Sequence, residues 1–80
     1  MNIYVGNLTY QVSPEDVEKV FSAFGQVTSV KLVKDRETGR PKGFGFVEMP
    51  NDGEARKAIE ALNEKDLQGR NMRVNEARPR

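Results

Sequence analysis

The feature that most constrains the fold is a pair of amphipathic helix patterns set among short strand patterns within 80 residues. Residues 13–25 (SPEDVEKVFSAFG) begin with a serine suited to the N-cap and a proline suited to the first helical position, and Gly25 suits C′. A second helix is predicted after an N-cap at Asn51 or Asp52. Each helix has one apolar stripe at i, i+3, i+4 and i+7, formed by Val17, Val20, Phe21 and Phe24 in the first and by Ala55, Ala58, Ile59 and Leu62 in the second.

Four segments rich in β-branched and aromatic residues predict strands, and they alternate with these helices. The strands are residues 2–8 (NIYVGNL), 27–34 (VTSVKLVK), 42–49 (KGFGFVEM) and 71–77 (NMRVNEA), with a polar hairpin loop at 35–41. Right-handed crossovers in a β-α-β-β-α-β order place both helices on the same face of one sheet. We therefore predict an α+β, ferredoxin-like sandwich with a four-stranded antiparallel sheet, in which residues 1–80 form a single domain.

Two helices can cover only one face of such a sheet, so the parity of each strand decides what the other face presents. In 42–49, strand alternation separates Phe44 and Phe46 from a set of glycine and aliphatic residues. The other three strands each oppose an aliphatic set to a polar or polar-tipped set. The consistent assignment buries Ile3, Val5, Val30, Leu32, Val47, Met49, Met72 and Val74 beneath the helices. It leaves Tyr4, Phe44 and Phe46 on the open face, surrounded by Lys31, Arg73 and Asn75.

The alternative is that Phe44 and Phe46 belong to the core, as phenylalanine usually does. That parity would turn glycine, valine and methionine toward water on the third strand and would contradict the other three strands. Leaving two phenylalanines in solvent forgoes roughly 1.5–3 kcal/mol of burial each. In so small a domain, such an exposed aromatic surface indicates a binding site that a partner covers.

Composition excludes several classes of function. The chain contains no cysteine and no histidine, which removes disulfides, thiol chemistry, zinc knuckles and histidine-based proton transfer. We expect no enzymatic activity, no cofactor and no metal. No apolar run approaches the ~20 residues that span a membrane, so no membrane association is expected.

The net charge is only +1, but the charges are distributed in blocks. Residues 31–42 hold five basic and two acidic side chains, and residues 70–80 hold four basic and one acidic. Residues 43–69, by contrast, hold three basic and six acidic side chains. Because the basic blocks are mostly strand and loop and the acidic blocks mostly helix, we expect a basic open face and an acidic helical back.

Aromatic rings edged by cations match the chemistry of a single-stranded nucleic acid. Unpaired bases offer π-faces for stacking, each worth roughly 1–3 kcal/mol, and phosphates require nearby cations. The sequence also resembles the RNA recognition motif family over essentially the whole chain. IYVGNL (3–8) matches the RNP2 pattern of that family, and KGFGFVEM (42–49) matches RNP1 at seven of its eight positions. The position that does not match RNP1 is Met49, where the family usually has an aromatic residue. By strand parity Met49 faces the helices.

This resemblance implies roles for individual residues. Tyr4 and Phe44 would each stack on a base, and Phe46 would pack against the sugars between them. Lys42 would contact a phosphate, and the last strand and its extension would supply further contacts. The candidate RNA-binding residues are Tyr4, Phe44, Phe46, Lys42, Asn2, Lys31, Arg73, Asn75, Ala77, Arg78 and Arg40.

The predicted partner is single-stranded RNA, with single-stranded DNA as a further ligand because stacking ignores the 2′-hydroxyl, and the predicted state is a monomer. The main alternative is a protein-binding version of the same fold that uses the sheet or a helix face. The short chain resembles small single-domain bacterial RNA-binding proteins, for which we expect a cytoplasmic location. A domain excised from a longer eukaryotic protein, nuclear or cytoplasmic, would look much the same.

Overall fold

The predicted α+β architecture is confirmed in a computed structural model, which describes residues 1–9, 11–34, 36–39 and 41–77, without the side chains of Pro41 and Lys42. Its elements are β1 (Asn2–Gly6), α1 (Pro14–Ser22), β2 (Ser29–Lys34), β3 (Pro41–Glu48), α2 (Asp52–Leu62), β4 (Asp66–Leu67), β5 (Arg70–Asn71) and β6 (Arg73–Ala77). Strands β2, β3, β1 and β6 form one antiparallel sheet in that spatial order. The strands that carry the two RNP-like motifs, β1 and β3, are therefore neighbours in its centre.

Helix α1 begins as the sequence predicts and ends earlier. A capping box closes its start: the Asp16 N–H donates to the Ser13 hydroxyl (3.2 Å), and the Ser13 N–H donates to the Asp16 carboxylate (3.1 Å). The C-cap is Ala23, so the prediction of Gly25 at C′ is wrong. Gly25 instead leaves room for Glu54 of α2, whose carboxyl a Cβ at position 25 would overlap.

Helix α2 is capped by Asn51, the first of the two predicted candidates. The Asn51 side-chain oxygen accepts from the Glu54 N–H (2.9 Å). At the other end, the side-chain oxygen of Asn63 accepts from the Val74 N–H (3.1 Å). This bond ties the end of α2 to β6 and fixes the helix over the sheet.

The core lies between the helices and one sheet face, as strand parity predicted. Every aliphatic residue assigned to that face on β1, β3 and β6 is buried, together with Met49 and Met72 beside the strands. Val30 and Leu32 are half-buried and pack against this core, because β2 is an edge strand. The helices contribute five buried residues, which are Val17, Phe21, Ala55, Ala58 and Leu62.

The segment before β6 differs from the prediction of one continuous strand over 71–77. Asp66–Leu67 pairs with Arg70–Asn71 in a separate two-stranded hairpin, and β6 starts only at Arg73. The turn of this two-stranded hairpin contains Gln68 and Gly69, both with positive φ. The Gln68 amide donates to the Asp16 carboxylate (2.9 Å), so the hairpin is fixed against the start of α1. No helix in the described ranges is long and apolar enough to cross a membrane.

Candidate nucleic-acid interface

The open face of the sheet, which is the surface opposite the helices, carries the predicted site residues in rows that run across the strands. Tyr4 is the Cα partner of Phe46 on one side and of Asn75 on the other, and Phe46 is also the partner of Lys31. The ring row is therefore Lys31, Phe46, Tyr4 and Asn75. It places two aromatic rings in the middle of the sheet, between a cation and an amide.

Tyr4, Phe44 and Phe46 form one aromatic cluster, called the ring trio here. Their centroids are 6.0 Å apart for Tyr4–Phe44 and Tyr4–Phe46 and 6.3 Å apart for Phe44–Phe46. The planes of Tyr4 and Phe44 are tilted by only 31°, whereas Phe46 stands at 66° and 89° to them. Phe46 is 39% exposed, and the other two rings are half-buried against it and the strands. The interpretation that Phe44 and Phe46 belong to the core is therefore wrong.

Gly6 determines where the Tyr4 ring lies. A Cβ at Gly6 would come within 2.8 Å of the Tyr4 Cε2 and Cζ atoms. The tyrosine ring therefore lies along its own strand, over a residue with no side chain. Any larger residue at position 6 would have to displace the ring.

A second row borders the ring row at the end of the sheet where β1 begins. Asn2 is the Cα partner of Glu48 and of Ala77, and Glu48 is also the partner of Ser29. These four residues, with Lys31 and Phe46, line an open recess of about 270 Å³, called the end recess here. Sequence reasoning missed Glu48, although the parity that exposes Phe44 and Phe46 places Glu48 on the same face.

The open face is less uniformly basic than expected. Its described charged residues include Lys31 and Arg73, but also the Glu48 carboxylate. The Arg73 guanidinium lies 3.7 Å from the Glu64 carboxylate, with both side chains about two-thirds exposed. Because exposed ion pairs are weak, Arg73 remains available to an anionic ligand. The open face that was predicted to be basic therefore also carries an acidic residue, Glu48, at the end where β1 begins.

Most of the predicted site residues are brought together by the sheet. Those that share the open face or its border are Asn2, Tyr4, Lys31, Phe44, Phe46, Arg73, Asn75 and Ala77. Arg40, Arg78 and the side chain of Lys42 lie outside the described residues. Within the described ranges, no group of three or more acidic, histidine or cysteine side chains is placed to hold a metal ion.

Comparison with known proteins decides the family. The sequence model of the RNA recognition motif matches residues 3–73 of this chain. The chain belongs to the RNA recognition motif family. The match includes the complete RNP2-like and RNP1-like motifs that carry the ring trio, and it ends at Arg73, just inside β6.

Relatives of this RNA recognition motif domain include cyanobacterial proteins. A Nostoc sp. protein named "Putative RNA-binding protein RbpE" is 55% identical over the whole chain, which covers 81% of that protein. A Synechocystis sp. protein named "Putative RNA-binding protein RbpA" is 54% identical and is covered over 79% of its length.

Solved structures agree with the family assignment. The crystal structure titled RNA Binding Protein PG1 superposes with a TM-score of 0.96, at 52% identity, over all of this chain and 96% of that one. A Sex-lethal protein/RNA complex superposes with a TM-score of 0.88 at 32% identity, over 95% of this chain and 47% of that chain.

Proposed function

We propose that this domain binds a few nucleotides of single-stranded RNA on the open face of its sheet. The observation that carries the proposal is the ring trio, which lies at the surface of the sheet on the face away from the helices, with Phe46 39% exposed and Tyr4 and Phe44 half-buried. The proposal is also supported by similar proteins that are named as RNA-binding proteins and by one structural neighbour that was solved as a protein/RNA complex.

In this proposal Tyr4 and Phe44 each stack on a base, and Phe46 packs against the sugars between them. The small tilt between Tyr4 and Phe44 suits two platforms for consecutive bases, and Phe46 stands across both. An RNA that lacks a single base but keeps its ribose tests this division. Phe44→Ala should reduce the affinity for the intact RNA more than the affinity for the abasic RNA. Phe46→Ala should reduce the two affinities equally. The reverse pattern would exchange the two roles.

Polar and charged residues around the rings complete the proposed site. Lys31 and Arg73 are exposed at its two sides, and we assign them, with Lys42, Arg40 and Arg78, to phosphate contacts. Asn2 and Asn75, with the main chain near Ala77, are assigned to base edges. Two or three stacks of ~1–3 kcal/mol, less the ordering terms, give roughly micromolar dissociation constants or weaker.

The deciding experiment is a fluorescence-anisotropy titration of short single-stranded RNA at two salt concentrations. Binding should weaken by roughly 0.7 log unit per neutralised phosphate per decade of salt. The double variant Phe44→Ala, Phe46→Ala should lose binding and still unfold cooperatively. Absent or salt-independent RNA binding by the folded wild type would contradict the proposal and favour a peptide ligand.

Arg56→Ala and Lys57→Ala serve as matched controls for Lys31→Ala and Arg73→Ala. All four remove an exposed cation, but Arg56 and Lys57 lie on α2, behind the sheet. Only the open-face pair should reduce both the affinity and the salt dependence. Equal effects from both pairs would point to a general charge effect and contradict a phosphate site on this face.

We further propose that residues 1–80 act as one domain, as a monomer without catalytic activity, and that single-stranded DNA of the same sequence also binds. A bacterial protein of this kind would act in the cytoplasm. Its relatives from Nostoc and Synechocystis support a bacterial setting.

A further inference from the structure

The Glu48 carboxylate stands on a surface proposed to receive a polyanion. It follows Phe46 by two residues on β3, so it shares the open face with the ring trio. It is exposed, and within the described part of the chain no hydrogen-bond donor or cation pairs with it. A negative charge here repels phosphates, so a bound RNA must offset that repulsion with hydrogen-bond donors.

The end recess shows which donors could reach Glu48. Phe46 forms one wall, Lys31 and Ser29 lie on the β2 side, and Asn2 lies on the β1 side. Its volume of about 270 Å³ is enough for one nucleobase to enter edge-on beside the rings. A base that enters this recess against the Phe46 ring, next to the two bases proposed for Tyr4 and Phe44, would direct its edge toward the carboxylate.

The two oxygens of a carboxylate accept best from two adjacent N–H donors. On their Watson–Crick edges, adenine, cytosine and uracil each present a single donor position, whereas guanine presents N1–H and N2–H side by side. The neighbouring guanine O6 is an acceptor, which the Lys31 ammonium in the same recess can satisfy. Donor, donor and acceptor on the base thus face two acceptors and a donor on the protein.

We propose that Glu48 is a specificity-determining residue that selects guanine for the end recess, an inference that rests on the proposed RNA-binding function. A well-formed bidentate pair discriminates by about tenfold or more against other bases. Glu48 also disfavours RNA without a suitable guanine, because its charge then remains uncompensated.

The test uses short oligouridines in which one guanine is moved through the sequence, followed by replacement of that guanine with inosine. Inosine lacks only the 2-amino group, so it removes one of the two proposed hydrogen bonds. Wild type should prefer guanine at one position by about tenfold and lose most of that preference with inosine. Glu48→Gln should bind guanine, inosine and uracil RNAs alike, and it should bind plain oligouridine more tightly than wild type does.

Glu76→Gln is the matched control. Glu76 lies at the same end of the sheet and borders a neighbouring recess with Glu48, but it shares the parity of buried Val74 and does not line the end recess. It should keep the guanine preference and raise affinity for all RNAs by the same small factor. If wild type binds RNA without guanine preference, or if Glu48→Gln keeps that preference, the inference is overturned while RNA binding stands. If folded wild type binds none of the RNAs, the proposed function fails with it.

Discussion

At the scale of single residues, Gly6 is expected to affect RNA binding through the neighbouring Tyr4 ring. The Tyr4 ring occupies the space that a Cβ at Gly6 would fill, and Gly6 has no positive φ that alanine would resist. Gly6→Ala should therefore displace the half-buried Tyr4 ring, which lies outside the core, and preserve the fold. We expect RNA affinity to fall by up to the ~1–3 kcal/mol of one stack, measured by anisotropy, with the midpoint of thermal unfolding nearly unchanged.

Two comparisons separate this mechanism from a general effect of an added methyl group. Gly53→Ala adds the same group to α2, away from the open face, and should leave RNA affinity unchanged. In a Tyr4→Ala background, Gly6→Ala should have no further effect, because the ring on which it acts is gone. Additive losses in the double variant would show that Gly6 acts independently of Tyr4.

At the scale of elements, Asp16 joins the start of α1 to the β4–β5 hairpin. The Ser13 backbone N–H, the Gln68 amide and the Ser13 hydroxyl stabilise its carboxylate and hold the pKa of Asp16 below its ordinary 3.8. Because the folded pKa is the lower one, the stabilisation is complete above pH 3.8 and is lost as the pH falls through the folded pKa.

Asp16→Asn should therefore be less stable than wild type near neutral pH, and the difference should shrink as the pH falls below 3.8. Urea unfolding midpoints at neutral and acid pH measure this change. Glu15→Gln is the matched control variant, because it removes a carboxylate of the same helical turn that makes none of these described hydrogen bonds. A constant difference between Asp16→Asn and wild type would rule out the linkage.

These elements also show where sequence reasoning succeeds and where it stops. Strand alternation identified the open face, because a shift of one residue would have reversed Ile3, Val5 and every other core position at once. It could not find the β4–β5 hairpin, since strands of two residues have no period. Strand and helix patterns also could not show the true end of α1, because Gly25 makes room for Glu54, a residue distant in sequence.

The candidate site was predictable to a similar extent and for the same reasons. Strand parity and the RNP patterns are enough to predict that the ring trio, Lys31 and Asn75 share one face of the sheet. The cross-strand register that brings Glu48 beside Asn2 and Ser29 depends on how three strands align, which no single strand pattern encodes. Predicting which residues form a row across the sheet therefore requires a structure, whereas predicting which residues share a face requires only the sequence.

At the scale of the whole molecule, the two faces of one sheet divide stability from binding. Phe21 is fully buried on the helix side, and Phe46 is 39% exposed on the other. A domain of this size has about 4–12 kcal/mol of stability in total. Phe21→Ala should remove about 3–5 kcal/mol of it, whereas Phe46→Ala should change it by about 1 kcal/mol or less.

Urea unfolding measures both effects, and Phe21→Leu supplies a milder core variant where the alanine form does not fold. Phe21→Leu should lower the unfolding midpoint and, while folded, bind RNA with wild-type affinity. Phe46→Ala should show the opposite pair of results, because its ring lies outside the core and is assigned to the RNA in the proposed function. If Phe46→Ala instead unfolded the domain, the open face would be part of the core, and an exposed aromatic surface could no longer explain why this chain holds three rings beside one another.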